Sequence, residues 1–138
     1  MATKLDFSGI WHSNYQYTSS AKPGEFSSEY DVKILQKGNN LVVESLPNKE
    51  GAYVVLRLSL DGRIATGTWE EHTSPGGFYK GTIYHGAVQL VVDEDGEAMH
   101  GKYVGFSRTM KVFANDWSLK RLAPGVDLKQ HAEQHAVA

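Results

Sequence analysis

From Phe7 to Leu122 the apolar side chains come in short runs with a two-residue period, rich in β-branched and aromatic residues and broken by Gly, Asn, Asp or Pro. No helical pattern intervenes. The runs predict strands over Ile10–Thr18, Phe26–Gln36, Leu41–Leu46, Ala52–Leu60, Arg63–Glu71, Phe78–Tyr84, Ala87–Val92, Ala98–Phe106, Thr109–Phe113 and Trp117–Leu122. Gly38-Asn39-Asn40, Asp61-Gly62 and Asp95-Gly96 are short turns whose residues tolerate positive φ, so they join antiparallel neighbours. Ser19–Glu25, Pro47–Gly51 and Thr73–Gly77 are longer connections, which a regular meander gathers at one mouth. A meander of this size protects its edges most simply by closing on itself. The expected fold is all-β, a closed antiparallel up-and-down barrel of eight to ten strands. Glycines in Gly67-Thr68-Trp69, Gly81-Thr82-Ile83 and Gly101-Lys102-Tyr103 relieve crowding where strands bend to close it. Residues 1–124 form the barrel domain; residues 125–138 turn to Ala, Gln, His, Lys and Glu and are expected to be a short helix or a frayed tail.

Strand alternation then sorts side chains by face. With Trp11 inside, Ser13, Tyr15 and Tyr17 point in with it, and Ile10, His12, Asn14 and Gln16 point out. The same rule puts Ala65, Gly67 and Glu71 beside Trp69, and Met99, Gly101 and Gly105 beside Tyr103. The opposite phase, in which these aromatics serve packing alone, stays open. Tyr and Trp walls with a few hydroxyls, and small residues that leave space, suit a partly planar ligand with hydrogen-bonding groups better than an acyl chain. Glu70 and Glu71 are adjacent on a strand and face opposite ways, so they cannot work as an acid and base pair. Glu71 shares the face of Trp69, and a carboxyl in an apolar cavity is raised in pKa and can bind an amine or move a proton. Arg108, between Phe106-Ser107 and Thr109-Met110, is either a solvated turn residue or a clamp for an anionic group at the mouth.

Composition narrows the function. The chain has 138 residues, room for one domain, with 41% hydrophobic and 22% charged residues, an ordinary globular balance. A net charge of −2 with signs interspersed offers no basic field for nucleic acid. Without cysteine there are no disulfides, thiolate metal sites or thiol nucleophiles. No apolar run reaches the roughly 20 residues of a membrane helix, and the amino terminus lacks the apolar stretch of a signal peptide, so a cytoplasmic location is expected. His131 and His135 share a helical spacing but lack a third metal ligand, and His12, His72, His85 and His100 are scattered over separate strands. No nucleophile elbow, phosphate-cradling loop or dinucleotide fingerprint is present. Neither a metal nor a cofactor is expected.

The segment Phe7-Ser8-Gly9-Ile10-Trp11 resembles the start of calycin barrels, the lipocalins, fatty-acid-binding proteins and avidins. That resemblance implies that Trp11 packs across the closed end against a basic residue of the last strand, here Arg121 or else Lys120. A cation on indole is worth about 0.5–2 kcal/mol. From Gly9 to Leu122 the chain is similar to a largely uncharacterised calycin-like bacterial domain found alone or beside a helix-turn-helix segment. The likeness rests on Leu60-Asp61-Gly62 leading into Thr66-Gly67-Thr68-Trp69-Glu70-Glu71, on Tyr84-His85-Gly86-Ala87-Val88-Gln89-Leu90, and on Met99-His100-Gly101-Lys102-Tyr103-Val104-Gly105-Phe106. The polar array with which avidins hold biotin has no residue-by-residue counterpart here, and His12-Ser13-Asn14-Tyr15 replaces the glycine-alternating stretch of nitrobindin-type haem barrels.

The leading expectation is a non-enzymatic barrel, of the kind that can serve as a sensor, that binds a small molecule through Trp11, Ser13, Tyr15, Tyr17, Trp69, Glu71, Tyr103 and Arg108. Two alternatives stand beside it: a cofactor-free isomerase or cyclase in which Glu71 or a tyrosine moves a proton, and a homodimeric interaction module using the outer wall.

Overall fold

The structure is a computed structural model that describes residues 6–18, 25–46, 51–77, 81–107 and 109–123. Eight strands follow one another: β1 (Gly9–Thr18), β2 (Glu25–Lys37), β3 (Asn40–Ser45), β4 (Tyr53–Asp61), β5 (Ile64–His72), β6 (Ile83–Val92), β7 (Ala98–Phe106) and β8 (Val112–Ala123). Each pairs antiparallel with the next, and β8 returns to β1 through Trp11↔Arg121, Ser13↔Leu119 and Tyr15↔Trp117, closing an up-and-down barrel. The described residues contain no helix, and the expected tail helix at 125–138 lies outside them.

Ten expected strands become eight because residues read as punctuation stay in the ladder. Gly86 pairs with Trp69 on one side and Gly105 on the other, so Tyr84 and Ala87 belong to one strand, β6. A Cβ built on Gly86 would stand 1.8 Å from the Val104 carbonyl oxygen. The glycine therefore marks a tight approach of backbones rather than a turn. Likewise Asn115 and Asp116 pair with Tyr103 and Lys102, and an Asp116–Lys102 ion pair at 2.5 Å spans the strands, so β8 runs unbroken.

The turns centred on Gly38, Gly62 and Gly96, all at positive φ, lie at one end of the barrel. Antiparallel alternation sends the four other connections, including the three long ones, to the opposite end. The short-turn end is plugged. Residues 6–8 lie against it, with Phe7 buried, its N–H donating to Gln36 Oε1 at 2.7 Å and its carbonyl accepting from Trp11 Nε1 at 2.8 Å. Gly9, at φ 136°, turns the chain from this plug into β1, a conformation an L side chain resists. The guanidinium of Arg121 lies 5.0 Å from the Trp11 ring centroid and donates from Nη2 to the Asp6 carbonyl at 2.5 Å. The Gly-x-Trp segment and the end of β8 thus meet at the closed end.

Above the plug, Ile34, Leu41, Val43, Leu56, Leu58, Leu90, Met99 and Leu119 are buried inside. Ile10 keeps the outward phase expected of it, paired with Lys33 between Gly9↔Ile34 and Trp11↔Val32, yet it is buried too, beside a register shift in the ladder to β8. The outer wall carries cross-strand charge pairs, among them Lys33–Glu44, Arg57–Glu70 and His12–Asp31. No helix among the described residues is long and apolar enough to cross a membrane.

Candidate functional site

The inward residues divide into three levels along the barrel axis. At the closed end Trp11 is fully covered by the plug, and Ser13 is buried with its Oγ accepting from Trp117 Nε1 at 2.8 Å. Both are polar-capable groups already satisfied by the fold, four and two residues deeper on β1 than Tyr15. They stand apart from the rest of the expected ligand set.

The middle level is aromatic. Trp117, which pairs across the ladder with Gly101, sits 4.5 Å from the Tyr15 ring and 5.0 Å from Tyr103. Trp69 meets Tyr103 edge-on at 5.2 Å, with its Nε1–H on the Val104 carbonyl at 2.9 Å. A Cβ on Gly105 would lie 2.6 Å from the Trp69 ring and 2.8 Å from Phe113. The small residues around Tyr103 were expected to leave space. Instead, the fold closes it: the Gln89 carbonyl and the Leu90 backbone would stand 2.0 and 2.9 Å from a Cβ on Gly101, and the rings of Trp69 and Phe113 crowd Gly105.

Toward the long-connection end the inner face changes character. Register alone places Tyr17, Ser28, Tyr30, Glu71, Tyr84, Phe113 and Asn115 on it, since Ser13 pairs with Tyr30, Tyr15 with Ser28, Glu71 with Tyr84, and Tyr103 with Asn115. Tyr17, Tyr30, Tyr84 and Phe113 are partly buried against the core. The Tyr15 hydroxyl crosses from β1 to donate to Glu71 Oε2 on β5, and the Tyr103 hydroxyl donates to the Gln16 carbonyl. Tyr30 lies nearly parallel to Tyr15, interplanar angle 4°, with centroids 6.3 Å apart. Ser28 is in hydrogen-bonding reach of both phenols.

Burial sets the protonation of this level. It raises the Glu71 carboxyl above its ordinary value, an effect that the Tyr15 hydrogen bond opposes. Burial, then the facing Glu71 carboxylate, pushes the Tyr15 phenol far up, and burial pushes Tyr103 up to about 12. Each tyrosine therefore keeps its proton at neutral pH. Glu70, on the opposite face, is held below its ordinary value by His72 at 2.5 Å and Arg57 at 3.0 Å. The adjacent carboxylates are separated as strand alternation requires.

Of the expected site residues, Tyr15, Tyr17, Trp69, Glu71 and Tyr103 come together, Trp11 and Ser13 lie at or near the plug, and Arg108 falls outside the described residues. Tyr30, Tyr84, Phe113 and Trp117 join the group unannounced. Two of them carried a signal: Tyr30 precedes Val32 and Ile34 at two-residue steps, and Trp117 precedes Leu119 and Arg121. Among the described residues no three His, Asp or Glu groups converge to hold a metal. The sequence matches no protein-family model and has no significant match among curated proteins.

Proposed function

We propose that this chain is a calycin-like barrel that binds a small molecule at its long-connection end, as a carrier or sensor rather than through covalent chemistry. One observation carries the reading: a half-buried layer of Tyr17, Tyr30, Glu71, Tyr84 and Phe113 on the inner face, resting on a rigid aromatic floor of Tyr15, Trp69, Tyr103 and Trp117. Ring faces beside a carboxyl and hydroxyls favour a compact, partly planar ligand with polar groups. The residues of this layer are each partly exposed, whereas the floor beneath them is buried, so a ligand would approach from the long-connection end. A cytoplasmic place of action belongs to the same reading, because a cysteine-free chain needs no oxidising compartment.

The Tyr15–Glu71 pair supports a second reading. A carboxyl of raised pKa facing a phenol is also a means of moving a proton, as an isomerase or cyclase requires. Such an activity would show as turnover lost in Glu71→Gln.

The test of the binding reading is a small-molecule screen read by two-dimensional NMR. Ligands are expected to shift the indole N–H signals of Trp69 and Trp117 and the amides of Tyr17, Tyr30 and Tyr84. Shifts confined to the outer wall would overturn it.

A further inference from the structure

We propose that the ligand of this site is an organic cation, a substituted ammonium or amidinium whose charge pairs with Glu71 and whose carbon groups lie on the surrounding rings. The inference rests on the binding reading above and names the chemistry that would satisfy it.

Three observations carry it. First, Glu71 faces inward between Val54 and Tyr84 on the neighbouring strands, and no described residue forms an ion pair with it. Its strand neighbour Glu70 has both Arg57 and His72. The contrast leaves a carboxyl inside the barrel without a positive partner among the described residues. A buried carboxylate in that state is costly, and a charged ligand removes the cost.

Second, three donors of the aromatic floor are already committed. Tyr15 gives its hydroxyl proton to Glu71, Tyr103 gives its own to the Gln16 carbonyl, and Trp117 gives its N–H to Ser13. Carboxylate and phenol oxygens remain as acceptors. An anionic ligand would meet Glu71 as a like charge, whereas N–H groups find acceptors.

Third, the walls are ring faces. Tyr15, Tyr30, Tyr17 and Tyr103 lie within 6.3 Å of one another around the carboxyl, counting from Tyr15. Aromatic quadrupoles and one carboxylate together are the recurrent means of holding a desolvated ammonium. Burial raises Glu71 above its ordinary value. A cation favours the ionised form, so binding releases a proton and strengthens as pH rises through the titration of Glu71.

The experiment compares three small aromatic probes, benzylammonium, benzyl alcohol and benzoate, by titration calorimetry and tryptophan fluorescence with the full chain. The expected result is binding of the ammonium at least about tenfold tighter than of the alcohol, with proton release seen in buffers of different ionisation enthalpy. In Glu71→Gln, which retains an acceptor for the Tyr15 hydroxyl, the preference is expected to fall to near unity with near-UV circular dichroism unchanged. Equal or tighter binding of benzyl alcohol or benzoate overturns the cation proposal and leaves small-molecule binding standing. Silence from all three probes overturns both.

Discussion

At the scale of single residues, two ionisable groups make the same demand on pH for different reasons. Glu71 titrates near 4.5 when unfolded and higher in the barrel, because burial penalises its charge. The folded state then holds the proton more tightly, so stability is fully present below pH 4.5 and falls as pH rises through the raised value. Glu71→Gln cannot titrate. Its melting temperature should match wild type near pH 4 and exceed it increasingly toward neutral pH; a wild type that gains on the variant as pH rises would mean a well-solvated carboxylate. On the outer wall, His12 accepts the same sign from a different cause. A 2.9 Å contact to Asp31 raises it above 6.5, with Glu29 contributing beyond the cost of burial. Its stabilisation is present below pH 6.5 and lost as pH climbs through the raised value. An NMR titration of the His12 ring should give a midpoint above 6.5, and Asp31→Asn should bring that midpoint down.

Strands show why some residues were legible and others not. Alternation assigned Tyr15, Trp69, Glu71 and Tyr103 to the inner face correctly, since a period of two is a local property of extended backbone. It failed at Gly86 and at Asn115-Asp116, where turn-forming residues stay paired. The reason at Gly86 is a neighbour 18 residues away: the Val104 backbone comes so close that no β-carbon fits. Gly86→Ala should destabilise the barrel by about 1–3 kcal/mol or more in urea titrations, because the obstructing atom is backbone and cannot rotate aside. Gly76→Ala, with nothing within 4 Å of the new methyl, should lie within about 0.5 kcal/mol of wild type. If the two variants were equally stable, the tight coil of β6 on β7 would be wrong. Tyr30 and Phe113 show a related limit. Their phase could be read along their own strands, but their place beside Glu71 comes from pairing with β1 and β7.

For the whole molecule, the decisive contact is the one that closes the ring. Arg121 on β8 meets Trp11 on β1 and the Asp6 carbonyl of the plug, joining residues 110 and 115 positions apart. Arg121→Ala should cost about 1–3 kcal/mol in global stability, the sum of a partly desolvated cation–π contact and a charged hydrogen bond. Arg121→Lys should recover only part of it, since an ammonium lacks the planar fork. Hydrogen exchange should locate the loss in β1 and β8; an even loss across all strands would count against a closure role. The sequence by itself determined the all-β class, the antiparallel order, the three tight turns and which residues share a face with Trp11, Trp69 and Tyr103 along each strand. Each of these follows from side-chain periodicity or turn chemistry within about ten residues. Only the tertiary structure decided that eight strands close the barrel, which face of each strand turns inward, that backbone closes on Gly101 and rings on Gly105, and that Tyr15 reaches Glu71 across 56 positions. Those outcomes depend on which strands lie opposite one another and how near their backbones come, and barrel closure fixes both at once.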